Sequence, residues 1–566
     1  MKVVTVDEMR RIEAASDAAG HSYAAMMERA GRATAEAVIS RLDVRERRIL
    51  VLVGPGNNGG DGLVAARYLG EAGADVICYL FKLRDPAEDE NFYRVQEQRL
   101  GIVLADEDEG WRRLQQFVRE ADAIVDGLLG TGTRLPLRGA LAEMLDLVKR
   151  TLVSRQQAPR ADLISLTASL PPLFPPHWGG GSEARGGRPF IVAVDGPTGL
   201  EYDSGALDEA AIPADLTVTF AYPKRGHFCF PGAGALGELV VADIGVDPAL
   251  AADVPLEVIT LAMVREWLPP RPPDAHKGTF GRALIVAGSV NYTGAAYLAG
   301  AAATRAGAGL VTLALPTAIH GVVAARLAEA TYLLLPHELG VIAAGAARVL
   351  AERLEEYDAL LLGPGLGRER GTAAFVDSLL SGGKRRQRHV GFVSVEESED
   401  ALPALPPLVV DADGLNILAE MENWPERLPA ESILTPHPGE MARLMGCTIG
   451  DVQADRVATA QSQAAAWGQV IVLKGAYTVV AAPDGRTAIE PFANPGLAKA
   501  GTGFVLAGAI VALCAQGLGA FEAAATAAFI HGLSGRLARA EIGEAGMVAG
   551  DVLARLPQAY QHIVGA

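Results

Sequence analysis

Short apolar runs alternate along the chain with stretches in which apolar residues return every three or four positions. The first pattern predicts strands buried on both faces and the second amphipathic helices. Their alternation predicts a parallel sheet with helices on both sides. Two helices, about Val6 to Ala19 and Tyr23 to Arg41, precede RRILVLVG, a strand ending at Gly54. A helix from about Asp61 to Glu71 follows, then DVICYLF, a polar helix, GIVLA, another helix and AIVDGLLG. Later strands are PFIVAVDGP, DLTVTFAYP and GELVVADIGV.

The rhythm breaks at about 151–188, where LPPLFPPHWGGGSEARGGRP reads as a surface excursion rich in Pro and Gly. LPPRPPDAHKG, Leu268 to Gly278, reads as a linker. After it the alternation restarts with RALIVAG, GLVTLAL, YDALLLGPG, PLVVDADG, SILTPH, QVIVLKG and YTVVAAPDG, interrupted by an irregular charged stretch at about 381–407. The expected organisation is two α/β domains, 1–265 and 266–566, with different loop motifs.

Half of the 566 residues are apolar, enough for two full cores, and the charge of 50 − 67 = −17 argues against nucleic-acid binding. Cys78, Cys229, Cys447 and Cys514 lie far apart without a C-x-x-C pair, so neither a zinc site nor a disulfide framework is indicated. The N-terminus reads as an amphipathic helix rather than a signal peptide, and no apolar run reaches the length of a membrane span. A cytoplasmic protein, free of membrane and nucleic acid and assembling as a homo-oligomer, is expected.

Three polar glycine loops follow strands in the first half. VGPGNNGGDG contains G-x-G-x-x-G at Gly54, Gly56 and Gly59 and carries Asn57, Asn58 and Asp61. Alone it is a weak dinucleotide signal, or simply a tight turn with a capping Asp. The acid that a dinucleotide fold places after its second strand is missing, because VICYLF runs into Lys82. VDGLLGTGTRLP puts Asp126 at a strand end, and VDGPTGLEYDSG puts Asp195 at another. Carboxyl ends of strands border the ligand crevice of an open α/β sheet, so three such loops point to one shared site.

Together with DLTVTFAYPKRGH and LVVADIGV, these loops resemble the YjeF N-terminal domain, the NAD(P)HX epimerase family. The resemblance covers nearly all of 1–250 and implies a Rossmann-like three-layer domain that interconverts the R and S forms of NADHX or NADPHX. It implies that Asn57, Asn58, Gly59, Gly60 and Asp61, with Gly130, Thr131, Gly132, Thr133, Arg134, Leu135 and Pro136, hold the substrate. Asn58, Asp126 and Thr198 would coordinate K⁺; Asp195 would act at the ring and also contact the substrate, with Lys224 beside it.

The second half ends its motif series with NPGLAKAGTGFVLAGAIVAL, a glycine turn entering an apolar helix. Such a turn aims backbone N–H groups and the positive helix end at a phosphate. With HKGTFGRALIVAGS, LLLGPGLG, VVDADGLN, ILTPHPGEM and VLKGAYTVV, it resembles the ADP/ATP-dependent NAD(P)HX dehydratase family, ribokinase-like in fold. The resemblance implies that Ala295, Gly365, His437 and the residue at 504 meet the hydrate. It implies that Lys474, Gly475, Ala476, Tyr477, Thr478 and Gly503 bind the nucleotide; Asp411 and Asp413 of DADG read either as turn formers or as residues that shape the nucleotide site and its Mg²⁺. ADP, or ATP, would phosphorylate the hydrate's hydroxyl, and loss of phosphate would restore NAD(P)H, leaving AMP when ADP is used.

The family's G-T-G-D reads G-T-G-F here, with Phe504 in place of the acid and Ala500 in place of a glycine. A benzyl ring takes no proton, and a missing general base costs on the order of 10²–10⁴-fold. Two expectations stand side by side: a bifunctional repair enzyme with an impaired dehydratase, or an active epimerase fused to a catalytically weak nucleotide-binding module that regulates or scaffolds.

Overall fold

The computed structural model describes residues 1–156, 187–381, 388–390, 393–395 and 404–565. Most of the two irregular stretches therefore lies outside the described residues. The chain forms two compact units, Lys2–Val254 and Pro255–Ala566, the second also taking Met1. The expected boundary at 265/266 falls later than this division. The reason is a short strand, Leu256–Val258, that pairs in parallel with Thr487–Ile489 of the second unit.

In the first unit, β1 (Arg48–Val53), β2 (Asp75–Leu80), β3 (Gly101–Leu104), β4 (Ala123–Gly127), β5 (Phe190–Val194), β6 (Leu216–Phe220) and β7 (Glu238–Ala242) form one sheet. Its order is β3-β2-β1-β4-β5-β6-β7 and every pairing is parallel. This is the doubly wound order, with the topological switch between β1 and β4. Alternation along β1 supplies both cores. Ile49, Val51 and Val53 pack with α1 (Val6–Ala18), α2 (Tyr23–Ile39), α3 (Asn57–Glu71) and α4 (Glu90–Glu97). Leu50 and Leu52 face α5 (Arg112–Glu120) and α6 (Ala140–Gln156) on the other side.

The helix expected to begin at Asp61 begins at Asn57, so Asn57 to Asp61 belong to the first turns of α3. Gly59 permits this: a Cβ there would sit 2.1 Å from the Gly54 carbonyl oxygen. Helix and strand end thus approach more closely than any side chain allows.

The second unit contains β8 (Leu256–Val258), β9 (Arg282–Val286), β10 (Leu310–Pro316), β11 (Thr331–Leu335), β14 (Ala359–Leu362), β17 (Leu408–Val410), β18 (Ile433–Leu434), β19 (Val470–Leu473), β20 (Val479–Ala481) and β21 (Thr487–Ile489) in one sheet. Hairpins β12 (His337–Glu338) with β13 (Val341–Ile342), and β15 (Arg388–Val390) with β16 (Val393–Val395), stand apart. The sheet order is β11-β10-β9-β14-β17-β18-β19-β20-β21-β8, with β20 antiparallel to both neighbours. The helix Thr502–Ala515 is buried from Val505 to its end, as its unbroken apolar sequence requires. Gly501 enters it at φ +97°, a conformation that disfavours any side chain. Among the described residues no helix is long and apolar enough to cross a membrane.

Candidate active sites

In the first unit, β5 and β6 end alike. Gly196 N–H donates to Val194 O at 2.8 Å with Asp195 at φ +64°, and Tyr222 N–H donates to Phe220 O at 2.6 Å with Ala221 at φ +55°. These three-residue turns hold non-glycine residues in a strained region, and such strain collects where a side chain must be aimed. The first turn aims Asp195, and the second leads into Lys224. The Lys224 Nζ donates to Asp195 Oδ1 at 2.6 Å and to Thr219 Oγ1 at 3.0 Å, and Thr219 Oγ1 donates to Asp195 Oδ1 at 2.7 Å. Lys224 is 2% exposed and Asp195 6%. Burial would raise the Asp195 carboxyl, but the Lys224 ammonium and the two hydrogen bonds outweigh it and hold the acid below its ordinary range. Asp195 is therefore an ionised carboxylate. His227, fully buried beside the pair, is pushed down to about 3 by burial and by Lys224, and stays neutral.

Asp126, on β4, accepts from Thr198 Oγ1 at 2.6 Å, from Thr198 N–H at 2.8 Å and from Leu128 N–H at 3.3 Å. Burial raises its carboxyl, and these hydrogen bonds oppose the rise. Asn58 lies against the next loop: a Cβ on Gly130 would sit 3.1 Å from Asn58 Oδ1. Asn58 Nδ2 is buried without a partner. Turning the amide over would bury its oxygen there instead, a ligand for a cation. Asp126 has no Lys or Arg partner among the described residues. A buried carboxylate, a hydroxyl and an orphaned amide together fit a monovalent cation.

A cavity of about 700 Å³ opens beside these loops, within the usual size range of small-molecule sites. Of the expected residues, Asn57 and Asp61 line it, and Asp195, Lys224 and the segment Gly130–Pro136 do not. Glu13 of α1 and Arg84 line it too, and sequence reasoning missed both. Arg84 Nη1 donates to Gly54 O at 2.7 Å and Gly56 O at 3.2 Å while pairing with Asp89, so it pins the turn before α3. The carboxyl of Asp61 is raised well above its ordinary value by burial, then by the charges of Asp195 and Glu13, against the pull of Lys224.

In the second unit, Lys474 follows β19 and is 2.8 Å from Asp411 Oδ1 and 3.7 Å from Glu440 Oε2. Thr435 Oγ1 donates to the same Asp411 oxygen at 2.7 Å. Burial opposes the charge of Lys474, but Asp411 and Glu440 prevail and raise its ammonium above the ordinary value. A Cβ on Gly503 would lie 3.3 Å from Lys474 Nζ, so the ammonium sits at the glycine turn. His437 Nδ1 accepts from Gly439 N–H at 3.0 Å and Glu440 N–H at 3.3 Å, capping the helix Pro438–Met445. Its proton is thereby fixed on Nε2, 3.4 Å from Glu440 Oε1. Burial and the charge of Lys474 lower the ring's basicity. His437 therefore offers a hydrogen-bond donor rather than a base.

Ala295 and Gly365 are neighbours: a Cβ on Gly365 would sit 2.7 Å from the Ala295 Cβ. The segment Lys474–Thr478 is held from behind by Arg456, whose guanidinium donates to Ala476 O at 2.5 Å and to Leu473 O at 2.9 Å. Asp413 Oδ2 accepts from Gly367 N–H at 3.0 Å, away from the Lys474 group, and so serves the loop after β14. Phe504 is half-buried on the first turn of its helix. Glu440 and Arg456 carry part of the site's charge pattern, and sequence reasoning singled out neither. No three His, Cys, Asp or Glu side chains cluster as a metal cage among the described residues. Two carboxylates beside an ammonium suit a divalent ion shared with nucleotide phosphates.

Two family models match the chain: one described as YjeF-related protein N-terminus over residues 23–226, and one described as NAD(P)H-hydrate dehydratase over residues 283–558. The bifunctional NAD(P)H-hydrate repair enzyme Nnr of Moorella thermoacetica is 37% identical, with 100% of this chain and 97% of that one covered. The enzyme of the same name from Thermofilum pendens is 36% identical with the same coverage, and that of Escherichia coli 32% identical, with 97% and 92% covered. A crystal structure of the ADP/ATP-dependent NAD(P)H-hydrate dehydratase of Bacillus subtilis, co-crystallised with ATP/Mg²⁺, is 32% identical. It covers 54% of this chain and 98% of its own at a TM-score of 0.45. This chain belongs to the family of bifunctional NAD(P)H-hydrate repair enzymes, with an epimerase-type first half and a dehydratase-type second half.

Proposed function

We propose that the first half interconverts (6R)- and (6S)-NAD(P)HX and that the second half dehydrates the S form to NAD(P)H with ADP as co-substrate, releasing AMP and phosphate. The observation that carries the first part is the pairing of ionised Asp195 with Lys224 at the carboxyl edge of the sheet, next to the Asp126–Thr198 pair. Asn57 to Asp61 and Gly130 to Pro136 hold the hydrated nucleotide, Asp195 acts at its ring and Lys224 fixes that carboxylate in place. Asn58, Asp126 and Thr198 hold K⁺, which when bound neutralises a buried carboxylate and draws the loops together.

In the second half, Lys474 to Thr478 and Gly503 take the nucleotide, and Ala295, Gly365, His437 and Phe504 border the hydrate. Asp411 and Glu440, beside Lys474, would hold Mg²⁺. The ion would supply charge neutralisation on the transferring phosphoryl group. His437 donates from Nε2. The ammonium of Lys474 turns from Asp411 toward phosphate oxygens when nucleotide enters. Phe504 offers no acceptor for the hydroxyl proton, so this half turns over slowly.

The same residue favours a second reading, an active epimerase joined to a nucleotide-binding module that regulates or scaffolds. Incubation of the full chain with mixed (6R)- and (6S)-NADHX, Mg²⁺ and ADP separates the two. Complete consumption with NADH formation supports the repair enzyme. Epimerisation without NADH supports the second reading, and loss of neither epimer overturns both.

A further inference from the structure

The turn Lys474–Thr478 does not hold its shape unaided. Tyr477 sits at φ +54° and Gly475 at φ +153°, and a non-glycine residue stays in the left-handed region only where its surroundings fix it there. Arg456 supplies that support. It is the first residue of the helix Arg456–Trp467, which ends at Gly468 and packs against β19 and β20. Its guanidinium donates to Leu473 O at 2.9 Å, to Ala476 O at 2.5 Å and to Tyr477 O at 3.5 Å. Thr478 Oγ1 donates to Gly475 O at 3.0 Å. The carbonyl oxygens of Leu473, Gly475, Ala476 and Tyr477 are thus all engaged within the protein. Lys474 N–H donates to Pro436 O at 2.9 Å and Tyr477 N–H to Phe492 O at 3.0 Å. Among the described residues the N–H groups of Gly475 and Ala476 meet no backbone acceptor. Gly475 is exposed and Ala476 half-buried. Two successive N–H groups on such a turn, next to the Lys474 ammonium, suit a phosphate oxygen. Gly475 also makes room for the clamp, since a Cβ there would sit 2.7 Å from Arg456 Nη2.

We propose, resting on the reading of Lys474–Thr478 as the nucleotide segment, that Arg456 is a positioning residue for the phosphates of a nucleoside diphosphate. Its guanidinium fork draws the carbonyl oxygens of the turn away from the ligand and leaves the N–H groups of Gly475 and Ala476 to meet it. Arg456 itself touches neither phosphate nor hydrate and acts through the backbone. A carbonyl oxygen turned toward a phosphate repels it, so a turn whose oxygens are held back binds an anion better than a relaxed one. Lysine does not replace the fork. An ammonium is a compact charge on a flexible stem, whereas a guanidinium presents several donors in one plane at fixed angles. Arg456→Lys therefore keeps the charge, loses the clamp and separates the two.

The test is calorimetric titration of the full chain with ADP in the presence of Mg²⁺, which reads affinity and stoichiometry separately. Arg456→Met should weaken ADP binding by about ten- to a hundredfold at the stoichiometry of the wild type. A merely structural loss would instead lower the fraction of chains that bind and leave the affinity of the rest as it was. Arg456→Lys should bind nearly as weakly as Arg456→Met. Gly475→Ala keeps the N–H but drives a methyl group onto the guanidinium, so it should weaken ADP through the same contact. The double variant Gly475→Ala, Arg456→Met should then bind within about threefold of the weaker single one, because both changes break one interaction. Four results overturn the proposal: Arg456→Met within about threefold of wild type, a fall in stoichiometry with affinity kept, Arg456→Lys binding as the wild type does, or single losses that add in the double variant. A wild-type chain that binds no ADP overturns instead the nucleotide reading on which it rests.

Discussion

In the first unit, the glycine turn after β1 enters a helix whose fifth residue is Asp61. In the second, the turn at Gly501 enters a helix whose third residue is Phe504. Both turns do the same backbone work. Each brings a helix N-terminus to the carboxyl edge of a sheet, with its N–H groups and positive dipole end facing outward. The side chain displayed on that first stretch of helix differs, and with it the chemistry. Asp61 lines the first unit's cavity and lies within the fields of Asp195, Glu13 and Lys224. Beside Phe504 the ammonium of Lys474 is already occupied by Asp411 and Glu440. A turn whose backbone suits a phosphate and a side chain that could accept a proton are thus separable features, the first set by backbone geometry and the second by a single residue.

The largest effect should come from restoring the acid on the poorer turn. Phe504→Asp should raise dehydratase turnover by about 10²–10⁴-fold and leave epimerisation unchanged, read by NADH absorbance with ADP and (6S)-NADHX. Equal, substantial rates in both proteins would break the contrast between the halves. Lys224→Met attacks the better-furnished half. It leaves Asp195 buried without its counter-charge, which should destabilise the first unit by about 3–5 kcal/mol and abolish epimerisation while NADH formation from (6S)-NADHX persists. Calorimetry and the two assays on one sample check this.

A third change concerns Glu490, buried behind the nucleotide segment. Burial raises its carboxyl to about 8 against hydrogen bonds from Thr478, and its Oε1 has no partner. The folded chain holds this proton up to about pH 8, whereas the unfolded chain releases it near the ordinary 4.5. Its contribution to stability is therefore full below pH 4.5 and is lost as pH rises toward 8. Glu490→Gln should stabilise the second unit by a few kcal/mol at pH 8, on the order of what such a shift implies, and flatten the pH dependence of its thermal midpoint. The first unit should not respond. The smallest change is Thr198→Ser. Loss of one buried methyl should cost roughly 0.8 kcal/mol with K⁺ dependence intact, because the hydroxyl on Asp126 remains. Thr198→Val should remove that dependence, as measured by epimerase rates in KCl against a bulky-cation salt.

Much of the first unit was legible because its signals are local. The alternation of VLV-type runs with helical spacing gave the parallel sheet, and glycines at 54, 56 and 59 marked a turn that no side chain could fill. The placement of Asn57 to Asp61 was misjudged, since a polar glycine-rich stretch reads as loop. Only the packing of Gly59 against Gly54 shows that the helix starts early. Glu13 was invisible for a different reason. In sequence it is one charged residue on the face of an amphipathic helix, and what makes it part of a site is the field of groups almost two hundred residues away. The division at Val254 escaped notice as well, because a three-residue strand carries no periodicity of its own and is recruited by the edge of a sheet completed much later.

By itself the sequence determined the fold class, the family and the apolar identity of position 504, since these depend on local spacing and residue identity. The tertiary structure alone decided which carboxylate Lys224 holds, that Lys474 is already paired and which tautomer His437 adopts. Those are consequences of charge, burial and hydrogen bonding among groups far apart in the chain, and free energies of that kind are fixed only by distance and dielectric surroundings.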